Sequence, residues 1–533
     1  MTSRALILSG SYVDSELQAE FGRIPPSFLP VQNTRLFQHQ VSVLAGNFDE
    51  IWMTIPKDFL VTQFDQNWLD RHGVKVLPLD ATITLRQSLI EALETICGSK
   101  DSIALNHGDT LVRNFPDVNF SDSVSVNTTR HYYRWARTSL NDFGVVTEIL
   151  DDSLEDRDED EVLSGFFAFS DVGDLLDCLQ VNETFIASVG AYSRKNPIRA
   201  VRPKEWFDFG HVQSYFASRG RLTTERSFNS LKIENRRLTK TSLKEGRIEA
   251  EANWFESVPE NVRIYLPQYL GRTSSAGLDG YQIEYLSTPS LADLYVFGEL
   301  PTSTWKNIFR EIEGLLNTFK LDSKDKTIEA YFSMYSTKVY DRLITWARDS
   351  SIDLEKPWIL NGKMVPSLDA ISKKIAEVIR HAAWPHAQII HGDLCFSNVL
   401  YDSRNECIRI IDPRGELWDG SLSIYGDPRY DLAKLHHSIF GMYDFAIAGQ
   451  IRAQRLAPYS LNLPIADSKT SKIVKELFSD MLNRVAPGSG TVVSAISCSL
   501  FLSMLPLHDD DRERQETLLA IGLQIFLENG GFE

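Results

Sequence analysis

The chain has 533 residues, 43% hydrophobic and 24% charged, with 55 Lys and Arg against 72 Asp and Glu, a formal net charge of −17. At roughly 100–200 residues per domain this length predicts two to four domains, and ten Trp with 29 Phe supply large cores, which excludes disorder as the main state. The negative field disfavours nucleic acid and anionic membranes as partners; a phosphate-bearing ligand needs local donors or a metal, whereas neutral or cationic substrates meet no such barrier.

Cys97, Cys178, Cys395, Cys407 and Cys498 are scattered without a CxxC pair, so neither a disulfide framework nor a zinc knuckle is expected. The N-terminus runs straight into an apolar strand, and no apolar run is expected to reach the ~18 residues that span a bilayer. The expectation is a cytoplasmic protein without membrane insertion.

Along the first half, Ala5–Leu8, Glu50–Ile55, Val74–Leu77 and Ser102–Leu105 read as buried strands, and Thr84–Ile96 as an amphipathic helix. Strand and helix alternation predicts a mostly parallel sheet whose ligands bind beyond the carboxyl ends of the strands. Ser9-Gly10 follows the first strand and His107-Gly108-Asp109 the fourth.

The opening strand with Gly10, then Gly22-Arg23-Ile24-Pro25-Pro26-Ser27-Phe28-Leu29-Pro30-Val31, resembles the start of sugar-1-phosphate and phosphocholine nucleotidyltransferases. Asn106-His107-Gly108-Asp109 resembles their strand-end Asp, and Trp206-Phe207-Asp208-Phe209-Gly210 their Trp-x-Asp-x-Gly. The resemblance covers about residues 1–225 and implies a Rossmann-like α/β domain of the GT-A kind. It also implies Mg²⁺ held by Asp109 and Asp208, and a triphosphate cradled by backbone N–H groups near Gly10. Mg²⁺ would neutralise two anionic reactants and align an in-line displacement. The family's Gly-x-Gly-Thr-Arg loop is replaced by Gly10-Ser11-Tyr12-Val13-Asp14, and Pro26 stands at its Lys position, leaving Arg23 as the substitute cation.

Glu155–Glu161 is an acidic run expected to face water. A polar join is expected near Ser218–Ser227, dividing the chain into domains 1–227 and 228–533. Beyond it Ser230–Thr241 reads as a strand pair with Lys240 near its end, and Arg247–Phe255 as a helix carrying Glu249 and Glu251. Tyr281–Leu286 reads as a short strand.

The sharpest pattern is Ile389-Ile390-His391-Gly392-Asp393-Leu394-Cys395-Phe396-Ser397-Asn398-Val399-Leu400, followed after a turn at Asp402–Asn405 by Ile408-Arg409-Ile410-Ile411-Asp412-Pro413-Arg414-Gly415. Two strands holding a loop would bring Asp393, Asn398 and Asp412 around one point, as phosphoryl transfer from ATP requires. Asp393 fits the carboxylate that receives or orients the hydroxyl proton, and Asn398 with Asp412 fits Mg²⁺. His391, grouped with Asp393 as a catalytic candidate, is expected to shape the loop.

These residues resemble the aminoglycoside phosphotransferase and choline/ethanolamine kinase family, small-molecule relatives of protein kinases, over roughly Phe228–Glu533. The resemblance implies an α+β two-lobed kinase-like fold. It further implies a Lys–Glu pair, for which Lys240 and Glu251 are the candidates with Lys232 and Glu249 as rivals, and an adenine-contacting hinge at Glu284–Leu286. Asp431 would cap a helix and brace the loop. Asp427 would be a supporting or substrate-facing residue, and Trp418, Tyr425 and His436-His437 would surround the substrate.

A kinase makes R–O–phosphate, and a nucleotidyltransferase joins that phosphate to a nucleotide. The combination resembles bifunctional proteins that supply capsule or lipopolysaccharide precursors from a sugar, polyol or amino alcohol, with ATP and a second NTP, for instance CTP. Two alternatives stand beside it: a kinase whose N-terminal domain only binds nucleotide as a regulator, and a scaffold without activity.

Overall fold

The computed structural model describes residues 3–114, 122–129, 135–150, 161–222, 229–234, 236–242, 246–275, 277–324, 331–417, 419–465 and 468–532. Phe228, Trp418 and most of the acidic run (155–160) lie outside the described residues. The chain divides into two compact units, Met1–Leu222 and Thr223–Glu533.

In the first unit the four expected strands form Arg4–Leu8, Glu50–Pro56, Val74–Leu79 and Ile103–His107, all mutually parallel. Thr84 caps the helix Leu85–Ile96 through a capping box with Gln87, closing its first turn as the Thr-x-x-Gln spacing dictates. The helix turns Leu89, Ala92, Leu93 and Ile96 onto a core shared with Leu6, Leu105, Phe167 and Tyr192. The expectation of a mostly parallel sheet needs correction. Among the described residues the sheet has nine strands, and Glu161–Phe169 runs antiparallel to Ile103–His107, followed outward by the hairpin Arg137–Leu140 and Val146–Leu150. The first unit ends at Leu222, inside the stretch expected as the join. Ser218–Arg221 belongs to the helix Val212–Arg221, anchored by buried Tyr215, Phe216 and Ser218.

The second unit opens with a four-stranded antiparallel sheet in the order Asn229–Glu234, Arg237–Ser242, Leu278–Glu284, Tyr269–Ser275. The helix Arg247–Ser257 buries Ile248, Ala252, Trp254 and Phe255. A larger helical part follows, and between its helices lie the hairpin Val399–Asp402 with Cys407–Ile410 and the short strand Ala387–Ile389. Asp402 accepts from the N–H groups of Arg404 and Asn405 and so makes the hairpin turn.

One helical stretch reaches the length and apolarity of a membrane span. Gly490–His508 is 19 residues long with a mean hydropathy of 1.7, enough by length and composition to cross a bilayer. In the fold 72% of that window is buried, with Phe501, Leu502 and Ile496 at no exposure. A helix that is apolar all round is a core helix when other helices cover it.

Candidate active sites

In the second unit the decisive side chains come from segments far apart in sequence. Lys240, on the strand Arg237–Ser242, is buried, with Nζ 2.6 Å from Glu251 Oε2 and 3.1 Å from Asp412 Oδ1. Burial opposes its charge, but Asp412 and Glu251 outweigh that and raise its pKa. Glu251 is also 2% exposed and accepts from Arg247 Nε at 3.0 Å and the Tyr281 hydroxyl at 2.8 Å. The rivals stand apart: Lys232 forms an exposed pair with Glu234, and Glu249 is exposed.

Two contacts dock the Glu251 helix onto the loop. Trp254 Nε1–H donates to the Ile390 carbonyl at 2.8 Å, and its ring meets His391 edge-on. Gly415 packs so close to the helix backbone that a Cβ there would lie 1.9 Å from the Ala250 carbonyl oxygen. Its φ of +66° is a second reason for glycine. Asp412 itself has φ +59°, an uncommon backbone state that turns its carboxylate out of the strand direction.

Around Asp393 the loop is held by hydrogen bonds. The Asn398 amide donates to the Asp393 carbonyl at 2.9 Å and to its carboxylate at 3.2 Å. Among the described residues the Asn398 amide oxygen meets only the Ser397 hydroxyl, at 3.5 Å. His391 is fully buried; its Nε2–H donates to the Ile411 carbonyl at 2.9 Å and its Nδ1 accepts from the Asp393 N–H at 3.3 Å. Burial lowers its pKa to about 4. With both ring nitrogens engaged, His391 is placed to hold the loop.

Asp431 accepts from the N–H groups of His391 at 2.7 Å and Gly392 at 2.8 Å. It braces the loop but does not cap the helix: the cap of Pro428–Ile439 is Asp427. Asp427 is 1% exposed, bonded to Arg429 and to the Tyr335 hydroxyl, so it does not face a substrate. Nor do His436 and His437, both buried, the latter between Tyr443 and Phe501. Tyr425 donates to Asp322 from a half-buried site.

Lys434 was not foreseen. Its Nζ lies 2.7 Å from Asp393 Oδ1. Burial works against the Asp393 charge, but Lys434, then His391 and Arg414, hold its pKa below the usual carboxylate range. The signal was present: Lys434 falls three residues after Asp431, on the same helix face.

In the first unit the carboxyl ends of the strands gather the other candidates. A Cβ on Gly108 would lie 2.6 Å from the Leu8 carbonyl and 3.0 Å from the Ser9 side chain, so the Asp109 turn lies directly against the Ser9-Gly10 loop. The strand Glu205–Asp208 pairs with Thr110–Arg113 in a register that sets Asp208 opposite Thr110. A Cβ on Gly210 would be 2.8 Å from Asp109 Oδ2 and 3.4 Å from Asp208 Oδ1, so both carboxylates converge on one small residue. Burial, then the Asp109 charge, raise the Asp208 pKa to about 6. Asp208 Oδ2 is buried without a hydrogen-bond partner among the described residues. Two adjacent carboxylates with an orphaned oxygen suit a divalent cation completed by nucleotide phosphates; among the described residues no cluster of three or more His, Cys, Asp or Glu could hold a metal by itself.

Arg23 is engaged by neighbouring side chains. Its guanidinium is 2.7 Å from Asp58 and 3.8 Å from the centre of the Tyr12 ring, which ties it to the loop after Arg4–Leu8. Pro26 opens the short helix Pro26–Phe28.

No protein-family model matches the chain, and no curated protein matches it. Among solved structures, the inositol-1-phosphate CTP transferase from T. maritima aligns with 41% of this chain and 95% of its own, at 11% identity and TM-score 0.33. The GDP complex of aminoglycoside 2'-phosphotransferase-IIIa aligns with 58% of this chain and 92% of its own, at 13% identity and TM-score 0.37. A glucosamine kinase in complex with glucosamine, ADP and inorganic phosphate aligns with 56% and 76%, at 11% identity and TM-score 0.37.

Proposed function

We propose that the Thr223–Glu533 unit transfers the γ-phosphoryl group of ATP to a hydroxyl of a small molecule. The observation that carries this reading is the bridge from Lys240 to both Glu251 and Asp412 beside the Asp393–Asn398 loop. Phosphoryl transfer is catalysed by positioning and charge stabilisation, and this set supplies both. Lys240 would hold the ATP phosphates. Asn398 and Asp412 would hold Mg²⁺, which supplies charge neutralisation on the phosphates. Asp393, kept ionised by Lys434, orients the attacking hydroxyl and receives its proton. The Glu284 and Tyr285 N–H groups donate to the Gln268 and Arg236 carbonyls, so adenine would meet the Glu284 carbonyl and the Leu286 amide.

For the Met1–Leu222 unit the reading is nucleotidyl transfer onto the phosphate so formed, with Asp109 and Asp208 holding Mg²⁺ and the Gly10 loop receiving the triphosphate of a second NTP such as CTP. The product, a nucleotide-activated sugar, polyol or amino alcohol, is the type of donor consumed in building capsule or lipopolysaccharide, made in the cytoplasm where nucleotides are available. A second reading keeps this unit as a nucleotide-binding regulator. The engagement of Arg23 by Asp58 favours it; the convergence of Asp109 and Asp208 favours catalysis.

The test is the purified full chain with Mg²⁺, ATP and each of CTP, UTP and GTP against a panel of alcohols, following ADP and pyrophosphate separately. ADP and pyrophosphate that both depend on the same alcohol support two activities, and ADP alone supports the regulator. Absence of both across the panel removes the proposal.

A further inference from the structure

At the loop that carries Asp393 the second unit presents a group of cations that the proposed reaction does not use. Lys338 and Arg342 stand one turn apart on the helix Thr337–Ser350, the i,i+4 spacing that puts them on one face. Arg414 leaves the loop that follows Asp412, with its Cβ 2.7 Å from where a Cβ on Gly392 would be, so its side chain starts against the catalytic loop. Lys338, Arg342 and Arg414 are half-buried. Among the described residues none of the three forms an ion pair with a carboxylate. Arg342 donates to the Ser503 carbonyl at 3.1 Å, and Arg414 to the Tyr430 hydroxyl at 3.1 Å.

Arg414 Nη1 comes within 4.0 Å of Met334 Sδ, and its hydroxyl partner Tyr430 packs its ring against Tyr335, so the guanidinium lies at the start of the helix that carries Lys338 and Arg342. Lys338 is driven down to about 7, by burial first and then by Arg414 and Arg342, with Glu416 opposing and Lys434 adding to the effect. Arg342 is lowered by burial and by Arg414, whereas Arg414 itself is raised, by Tyr430 first and then, against burial, by Asp393 and Glu416. Like charges gathered in partial burial are costly unless an anion completes them. Across a chain of net charge −17 such a group is a local reversal of field.

We propose that the alcohol phosphorylated at Asp393 carries an anionic group of its own, a carboxylate or a phosphate, bound by Lys338, Arg342 and Arg414. This rests on the kinase reading of the unit and narrows its substrate to acidic alcohols, against the amino alcohols. In the reaction the substrate oxygen forms the new O–P bond. The bond from the γ-phosphorus to the bridging oxygen breaks with its electron pair leaving on ADP, and the hydroxyl proton passes to Asp393 and then to water.

The test uses the full chain with four classes of alcohol: glycerate and gluconate, glycerol 3-phosphate and glucose 6-phosphate, glycerol and glucose, choline and glucosamine. Calorimetric binding is measured without ATP, and ADP formation with it. The expected result is binding and turnover of one anionic class, which also separates carboxylate from phosphate. Lys338→Met and Arg342→Met should each raise its Kd and KM about tenfold, the loss of one charge-assisted hydrogen bond, with KM for ATP unchanged. Lys338→Arg, which keeps the charge, should behave as the wild type, separating charge loss from misfolding. Turnover of neutral or cationic alcohols in preference to anionic ones would overturn the proposal and leave the kinase standing, as would a rise in KM for ATP in the Met variants. Binding of anionic alcohols that depends on Lys338, with no ADP from any alcohol, would sustain the anion site and overturn the kinase.

Discussion

Lys240 and Asp412 are 172 residues apart in the chain, yet Nζ and Oδ1 lie 3.1 Å apart. One comes from the antiparallel sheet, the other from a left-handed residue after the hairpin, and Glu251 completes the junction from a helix. A single salt link of this kind ties the Lys240 strand to the Asp412 loop, so the two halves of the candidate kinase site are already assembled.

Replacing Lys240 should therefore damage turnover out of proportion to stability. Lys240→Met is expected to lower kcat on the order of 10²–10³, the usual loss for a preorganised charge-stabilising donor, and Lys240→Arg should not rescue it because the bulkier fork cannot fill a 2% exposed site. Steady-state kinetics with ATP decides; near-normal kcat in either variant would remove Lys240 from the site.

Asp393→Asn should cost roughly 10²–10⁴ in kcat with KM for ATP little changed. Because His391 stays neutral well above its pKa of about 4, the wild-type rate should show no histidine ionisation between pH 5.5 and 8. An acid limb near pH 6.5 that disappears in His391→Asn would show the ring taking part in proton transfer.

Gly415 links loop and helix. Gly415→Ala places a methyl 1.9 Å from the Ala250 carbonyl at φ +66°. The left-handed conformation costs roughly 1–2 kcal/mol, and overpacking adds about 1–3 kcal/mol. Denaturant unfolding should report that loss, with kinase activity falling as the Glu251 helix is displaced. Unchanged stability would mean the loop does not pack on the helix as described.

The Asp109–Asp208 pair gives a pH-dependent expectation for the first unit. The folded Asp208 pKa of about 6 lies above its unfolded value of roughly 3.9. Its contribution to stability is thus present in full below the unfolded value and is lost as pH rises through the folded one. In chelator, Asp208→Asn should stabilise the chain relative to wild type at pH 8 and less so at pH 5. Mg²⁺ should raise the wild-type melting temperature more at pH 8 than at pH 5, an increment that Asp208→Asn removes. Equal Mg²⁺ effects at both pH values would contradict a cation between these carboxylates.

Much of this was legible in the sequence because the informative residues sit in short, ordered runs. Alternating apolar runs located the strands of both units, and the spacing of Asp393, Asn398 and Asp412 was enough to expect one locus. Lys240 and Glu251 were separable from Lys232 and Glu249 only by burial, which depends on strand partners such as Tyr281 that a linear reading does not weigh. The antiparallel half of the first sheet was missed although its central strand, Glu161–Phe169, is nine residues long and buried almost throughout, because an apolar run carries no sign of strand direction; the outer strand Arg137–Leu140 is short and half-exposed. Asp427, His436 and His437 looked substrate-facing as polar residues near a motif. The helix Pro428–Ile439 is covered on nearly every side, and it turns them into the interior. The Arg414, Lys338 and Arg342 group joins a loop to a distant helix, so no local pattern announces it.

The most direct test of the central claim is ³¹P NMR of the full chain with Mg²⁺, ATP and an alcohol that supports ADP formation, followed by addition of CTP, UTP or GTP. The account predicts a phosphomonoester resonance coupled to ADP, which then gives way to the diphosphate pair of a nucleotide-linked product as pyrophosphate appears. A mixture that yields only ADP and inorganic phosphate, with no phosphomonoester at any stage, would contradict it.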